Sequence, residues 1–500
     1  MKQLNVLKFY MAVNKLKKTK KGEHSKADSI FGSSILAAAF ASEFNTTNDL
    51  GRIIKMELLY ELSYIPDFFY DIKDMRLASE MKEIIMEFNS CKSPTAMLAH
   101  EYKSLDNILS SIADKSGNIN EFLELSLKTM NVQNDRAKYI NILKFYYYNH
   151  ILKLKTRTGW LNWNVESKNE RIETDSDHTI GAIGLAYAFG SEYDYCFDIN
   201  EVLSTLLVHE IGEAIIGDIT PFDNIPKEEK QEKEHRAMKV VLGPLSKSKE
   251  LYQNLLDFDS LKNPVDRFAH YCDKLDTDIQ SKIYQEKGFY HSLDKQENNV
   301  TMNSERVQKM ISDGIAVTPF DVWFFYDLPI YTDESMPEFA STLKFVRENE
   351  LLKLNSYVAS EVTDNPFYKS VLYELSYEIN KLKKTDAVEA ILLTRNNNSI
   401  NLKVLYNEPV FNKSTKIDLS EYFIFQDLKG MSVTLVSGMI NTHHREIHNS
   451  KDIESILNAT VVFDRNGYIE ELKKQAMKHF EEHKKIEECS LNLKKISNEE

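Results

Sequence analysis

One short run, LLVHEIGEAIIGDITP, concentrates the residue types that hydrolytic chemistry uses. His209 and Glu210 are adjacent, Glu213 follows three residues on, and Asp218 stands between Gly217 and Pro221. On a helix, positions i, i+1 and i+4 span about 100° of arc, so His209, Glu210 and Glu213 can converge on one point beside it. Gly217 and Pro221 signal the helix stop, which puts Asp218 on the turn that follows. The neighbours Leu206, Leu207, Val208, Ile211, Ile215 and Ile216 are apolar. Ionisable groups buried among them need a partner. A cation is the partner that fits.

Two further segments can supply ligands. SDHTIGAIGLAYAFG carries His178 beside a small, apolar helical face, and RFAHYCDKLDTD carries Asp273 on another apolar helix. Two imidazoles and two carboxylates with coordination positions left open suit a catalytic divalent cation, whether Mn, Co, Mg, Fe or Zn. The predicted metal ligands are His178, His209, Glu210 and Asp273.

The elements that must position these groups are helical. Apolar residues recur at three and four positions in LKFYMAVNKL, SILAAAFASEF, IIKMELLYEL, EVLSTLLVHEIGEAI and RFAHYCDKLDTDI. Residues 301–365, with Pro319, Pro329 and Pro337 among aromatics, read as an irregular connecting segment. After a helix over about 366–384, VEAILLTR, INLKVLYN, MSVTLVSG and ATVVFD read as strands, and a charged helix closes the chain. The fold class is therefore mostly α, with a smaller α+β domain over 366–500.

An internal repeat organises the helical part. Asp28–Tyr64 laid over Asp177–Glu213 without a gap gives 11 identical pairs in 37, Gly32/Gly181, Phe40/Phe189 and Glu61/Glu210 among them. Chance at ordinary residue frequencies gives about two or three. Each copy follows the same word, LKFY at Leu7–Tyr10 and Leu143–Tyr146, and AHEYKSLD (Ala99–Asp106) matches AHYCDKLD (Ala269–Asp276) downstream. Residues 1–135 and 136–300 are thus two tandem copies of one helical domain.

The order His, His-acid, Asp resembles that of the HD-domain phosphohydrolases, and most closely their 5′-deoxynucleotidase branch. There a Glu stands three residues after the HD acid and an Asp eight after it, positions that Glu213 and Asp218 occupy here. An Arg closely followed by Trp precedes the first His, as Arg157 does in RTGW, and the words SDH, GDI and EEK are similar too. The resemblance covers about 140–300 and departs at one ligand, where Glu210 replaces the family's Asp. It implies two tandem all-helical HD-type domains. It also implies that the substrate phosphate binds the cation and Arg157, and that a water activated by the cation attacks. Glu213 would orient or deprotonate that water, and Asp218 would assist proton transfer to the leaving 5′ oxygen. Which of the two is acid and which base stays open. Arg171, seven residues before His178, reads equally as a second phosphate contact or a surface charge.

The activity so implied is hydrolysis of a nucleotide phosphate, foremost a 5′-(deoxy)nucleoside monophosphate to nucleoside and phosphate. Triphosphate or cyclic-nucleotide hydrolysis by the same site, or nucleotide sensing without turnover, are the alternatives. In the first copy the chemistry is gone: Ser29, Tyr60, Tyr64 and Lys103 stand at the positions of His178, His209, Glu213 and Asp273. Only Glu61, opposite Glu210, remains. Such a copy can serve as a pseudo-dimer partner or hold a regulatory ligand. Lys21, opposite Arg157, belongs to a solvated charge run. His100 and His270, which match across the copies, read as core residues.

Composition excludes several classes. A net charge of −14 argues against bulk nucleic-acid binding. Four widely spaced Cys, no apolar stretch of membrane length and no cleavable leader point to a cytoplasmic protein with reduced thiols. In the C-terminal domain, His444 and His448 in NTHHREIHN read as surface residues. That domain carries no evident chemistry and reads as a module for homo-oligomerisation or for a protein partner.

Overall fold

The computed structural model describes residues 2–18, 24–45, 49–65, 68–217, 225–296, 298–333 and 336–354. Beyond them it describes 387–396, 399–406, 414–418, 432–439 and 457–467, with a few positions between and after. Two compact units result, Met1–Asn355 and Ser356–Glu500. The expected boundaries at 135/136 and 300/301 both fall inside the first.

The helices that the two repeat copies share are α1 (Lys2–Leu16), α2 (Lys26–Phe44), α3 (Leu50–Ser63) and α4 (Pro94–Ala113), then α5 (Arg136–Leu152), α6 (Asp175–Glu192), α7 (Ile199–Val208) and α8 (Pro264–Lys287). The repeated aspartates explain where α2 and α6 start. Asp28 and Asp177 each sit at the third position of a capping box, with Ser25 and Thr174 as the N-caps. The two caps meet: Ser25 Oγ donates to Asp177 at 2.6 Å and Ser176 Oγ donates to Asp28 at 2.6 Å. Arg171 spans both carboxylates, at 2.7 Å from Asp28 and 2.9 Å from Asp177. It is no surface charge, since its side chain is largely buried in this bridge. It joins the two copies.

The lead helices are interleaved. α1 packs mainly on α6 of the second copy, and α5 mainly on α2 of the first. That is why α1 is apolar around most of its circumference and buried from Asn5 to Leu16, save for Lys8. At each crossing a Lys, a Tyr and an Asp meet over a glycine. Lys17 Nζ lies 2.7 Å from Asp276 Oδ1, to which the Tyr10 hydroxyl donates at 2.6 Å. Lys153 Nζ lies 2.6 Å from Asp106 Oδ1, to which the Tyr146 hydroxyl donates at 2.7 Å. A β-carbon at Gly181 or Gly32 would collide with the carboxylate and ammonium of its clamp, so the repeat keeps glycine there.

The segment expected to be irregular over 301–365 is helical through most of its described part, with helices at Glu305–Ser312, Pro319–Asp327 and Pro337–Glu348. The prolines were misread as breakers. Pro319 and Pro337 occupy the first turn, where a missing N–H costs nothing. Val307, Met310, Ala316 and Val322 of this region form a small core with Trp160, Trp163 and Tyr284. This core anchors the short helix Thr158–Asn162, whose N-cap is Arg157.

The second unit contains a five-stranded sheet of order β3-β4-β2-β1-β5. The strands are β1 (Val388–Asn396), β2 (Ser399–Tyr406), β3 (Ser414–Asp418), β4 (Ser432–Met439) and β5 (Thr460–Asp464). β1 pairs antiparallel with β2 and β5, β2 runs parallel to β4, and β3 pairs antiparallel with β4. Four strands match the sequence reading. β3 was missed because STKID, at an edge of the sheet, has a single β-branched aliphatic residue and no alternation. Most of the helix expected at 366–384, most of the closing helix, and His444 and His448 lie outside the described residues.

Candidate metal centre

The run that carries the chemistry is not one helix. α7 stops at Val208, and the chain turns through 209–212 before a last short helix, Glu213–Ile216. Backbone bonds there close over three residues: Ile211 N donates to Val208 O at 3.3 Å and Glu213 N to Glu210 O at 3.0 Å. This tightening corrects the expected i, i+1, i+4 geometry. A three-residue turn stacks Glu210 and Glu213 on one side, one above the other.

His178 enters from the first turn of α6 and Asp273 from the middle of α8. One donor atom from each of His178, His209, Glu210 and Asp273 lies within 4.8 Å of the others. All four predicted ligands are thus brought together. His178 Nε2 is 2.8 Å from Asp273 Oδ1 and 3.6 Å from Glu210 Oε1. His209 Nε2 is 3.3 Å from Glu210 Oε1 and 3.8 Å from Asp273 Oδ1.

The far side of each ring sets its tautomer. His209 Nδ1 donates to the Leu206 carbonyl at 2.6 Å, and His178 Nδ1 donates to Asp276 Oδ2 at 2.7 Å. Both Nε2 atoms therefore face the cluster as potential ligands, the arrangement that metal-binding histidines adopt. His209 Nε2 and Glu210 Oε2 are buried and make no hydrogen bond. Orphaned polar atoms of this kind are costly unless something fills the space between them. A divalent cation fits the donor set and the burial.

The electrostatics point the same way. Burial by itself pushes imidazoles towards neutrality and carboxylates towards protonation. Here neighbouring charge overrides it. Asp273 and Glu210 lift His209 to about 10 against its desolvation. His178 is also raised, with desolvation and Arg157 opposing and Asp273 and Asp276 prevailing. Desolvation is likewise overcome at Glu210, held well below the carboxylate range by Arg157 and His209, and at Asp273, held there by Lys274 and the two histidines. The pocket draws positive charge.

Two more of the predicted residues border the cluster, Arg157 and Glu213. Arg157 Nη1 lies 3.4 Å from Glu210 Oε1, so the guanidinium borders the cluster. Glu213 joins Asp175 and Glu210 in an adjoining carboxylate group whose oxygens also lie within 4.8 Å of one another, and Lys155 Nζ donates to the Glu213 carbonyl at 2.6 Å. Asp218 and Lys21 lie outside the described residues. Sequence reasoning missed Asp175, Lys155 and Asp276. The last of these had a signal, since Asp276 and Asp106 end the matched words AHYCDKLD and AHEYKSLD.

At the corresponding place in the first copy, Lys103 and Lys26 both pair with Glu61, Lys26 Nζ at 3.3 Å. Tyr60 packs on Phe88 with ring centroids 4.4 Å apart. His100 stacks on Phe88 and His270 lies beside Phe258, but both are only half-buried, at the edge of the core and not within it as expected.

The family model that matches this chain is that of the HD domain, over residues 150–313, which contain all four residues of the cluster. The chain belongs to the HD-domain family. It is 34% identical to the 5′-deoxynucleotidase HDDC2 of Mus musculus over 27% of this chain, and 33% identical to the 5′-deoxynucleotidase hdd1 of Schizosaccharomyces pombe over 30% of this chain. The match spans 65% of the mouse protein's length and 76% of the yeast protein's. A solved structure, the PH0347 protein of Pyrococcus horikoshii OT3, aligns over 40% of this chain and 98% of its own at a TM-score of 0.25 and 19% identity. Among the described residues no helix is long and apolar enough to cross a membrane.

Proposed function

We propose that the second repeat copy is a metal-dependent phosphohydrolase acting on a nucleotide, foremost releasing phosphate from a 5′-(deoxy)nucleoside monophosphate. The observation that carries this reading is the buried convergence of His178, His209, Glu210 and Asp273, bordered by Arg157. Relatives named 5′-deoxynucleotidases support the substrate class. His178, His209, Glu210 and Asp273 would hold a divalent cation, which would supply Lewis acidity and lower the pKa of a water bound there. Arg157 binds the phosphate with a planar, permanently charged fork. Glu213, on the same side of the turn as Glu210, orients the attacking water or takes its proton, and Asp218 serves the leaving oxygen. In the first copy the ammonium of Lys103 sits beside the one retained acid, so that copy is read as a degenerate HD-type domain without a catalytic cation.

Purified protein incubated with nucleoside monophosphates and each of Mn²⁺, Co²⁺, Mg²⁺, Fe²⁺ and Zn²⁺ should release phosphate, and His209→Ala should not. No release under any pairing would remove the hydrolytic reading. Pyrophosphate or triphosphate as product would move the substrate to a triphosphate. One feature favours a sensor without turnover, namely Glu210, one methylene longer than the family's Asp. Nucleotide binding without hydrolysis, cured by Glu210→Asp, would establish that alternative.

A further inference from the structure

The candidate cation site of the second copy is backed by side chains from the first helix of the first copy and the residue just after it. His178 holds its tautomer through Asp276: one carboxylate oxygen faces His178 Nδ1, while the other takes the Lys17 ammonium and the Tyr10 hydroxyl. All four groups are buried: His178 and Asp276 are 0% exposed, Tyr10 0% and Lys17 6%. Lys17 Nζ also lies 2.9 Å from Glu173, whose other oxygen accepts from Trp160 Nε1 at 3.0 Å, on the short helix that starts at Arg157. One ammonium from the end of α1 thus reaches both the ring of a metal ligand and the support of the phosphate-binding arginine. Tyr10 and Lys17 lie outside the residues matched to the HD domain, 150–313.

Resting on the metal-site reading above, we propose that Lys17 and Tyr10 are positioning residues for the cation site, acting through Asp276 on His178. The first copy contains the control for this idea. Lys153, Tyr146 and Asp106 repeat the Lys–Tyr–Asp clamp, equally buried, with Ser110 as the third partner of the ammonium where Lys17 has Glu173; Ser29 stands where His178 does, so no ligand hangs from it. Losing either clamp disturbs a buried ion pair. Only losing the first should loosen a metal ligand.

The test is direct titration of the full chain with Mn²⁺ alone, by calorimetry and by the Mn²⁺ resonance signal, without substrate. Groups bonded directly to the far nitrogen of a metal-binding histidine change affinity by about 10–100-fold, and Lys17, one bond further back, belongs at the lower end of that range. Lys17→Met should therefore raise the Mn²⁺ dissociation constant about 10-fold or more, and Lys153→Met should leave it within about two-fold. If Lys17→Met does not fold, Tyr10→Phe against Tyr146→Phe makes the same comparison by deleting only a hydroxyl, with a several-fold rise expected for the first alone. Equal effects within a pair would overturn the positioning role while leaving the proposed function standing. A wild-type chain that binds no Mn²⁺ would overturn both.

Discussion

The two repeat copies solve the same electrostatic problem in opposite ways. In the second, two histidines and two carboxylates surround a space that draws positive charge, and His209 Nε2 and Glu210 Oε2 are left without hydrogen bonds. In the first, the surviving acid Glu61 is met by the side chains of Lys103 and Lys26. A tethered ammonium does there what a diffusible cation can do in the second copy. It needs no ion and leaves no open coordination position. The difference teaches that a buried acid can be answered by ammonium groups from within the chain, without a diffusible ion.

The sharpest way to break this comparison is to remove one group from each copy. Asp273→Ala should abolish Mn²⁺ binding and bring phosphate release to background, whereas Lys103→Ala should leave both as they are. If the lysine variant mattered equally for turnover, the first copy would not be inert. Stability should report the reverse asymmetry. Lys103→Met strands the buried Glu61 with only Lys26 beside it, and should cost about 1–3 kcal/mol in urea unfolding. An unchanged midpoint would mean that the pair contributes nothing.

Glu210→Asp tests the one ligand that departs from the family. With turnover retained, the Mn²⁺ dissociation constant should move by up to about ten-fold, equivalent to about 1.4 kcal/mol. A larger loss would show that the surrounding helices have adapted to the longer side chain.

The smallest effect concerns His24, which occupies the position of Glu173 in the repeat. Hydrogen bonds to Asp114 and Asp28 raise it to about 9. Its folded pKa lies above the ordinary value of about 6.5, so its stabilisation is complete below about pH 6.5 and is lost as the pH rises through 9. The stability difference between wild type and His24→Gln should shrink across that window. A difference independent of pH would remove the charged pair from the account.

The convergence at the candidate site was legible because its residues lie in short words. His209, Glu210 and Glu213 are local, and the repeat supplied an internal reference in which His178 and Asp273 stand out by their absence from the first copy. The helices were legible from periodicity, and 301–365 was misread because proline looks alike whether it breaks a helix or begins one. The turn at 209–212 was invisible, since nothing in HEIG forbids a continuous helix. Arg171 was misread for a different reason: a lone arginine in a polar stretch gives no sign that two capping aspartates from distant helices will meet across it.

By itself, the sequence determined that the chain has a repeated helical part and a β-containing part, which ionisable residues of the second copy come together, and that other residue types stand at those positions in the first. Those are properties of residue type and spacing, and they survive any arrangement of the helices. Only the tertiary structure decided that α1 packs against the second copy, that Lys17 reaches Asp276 behind His178, and that Lys103 answers Glu61. Each depends on residues far apart in the chain being driven into one buried space, where an unpaired charge is too costly to leave unanswered.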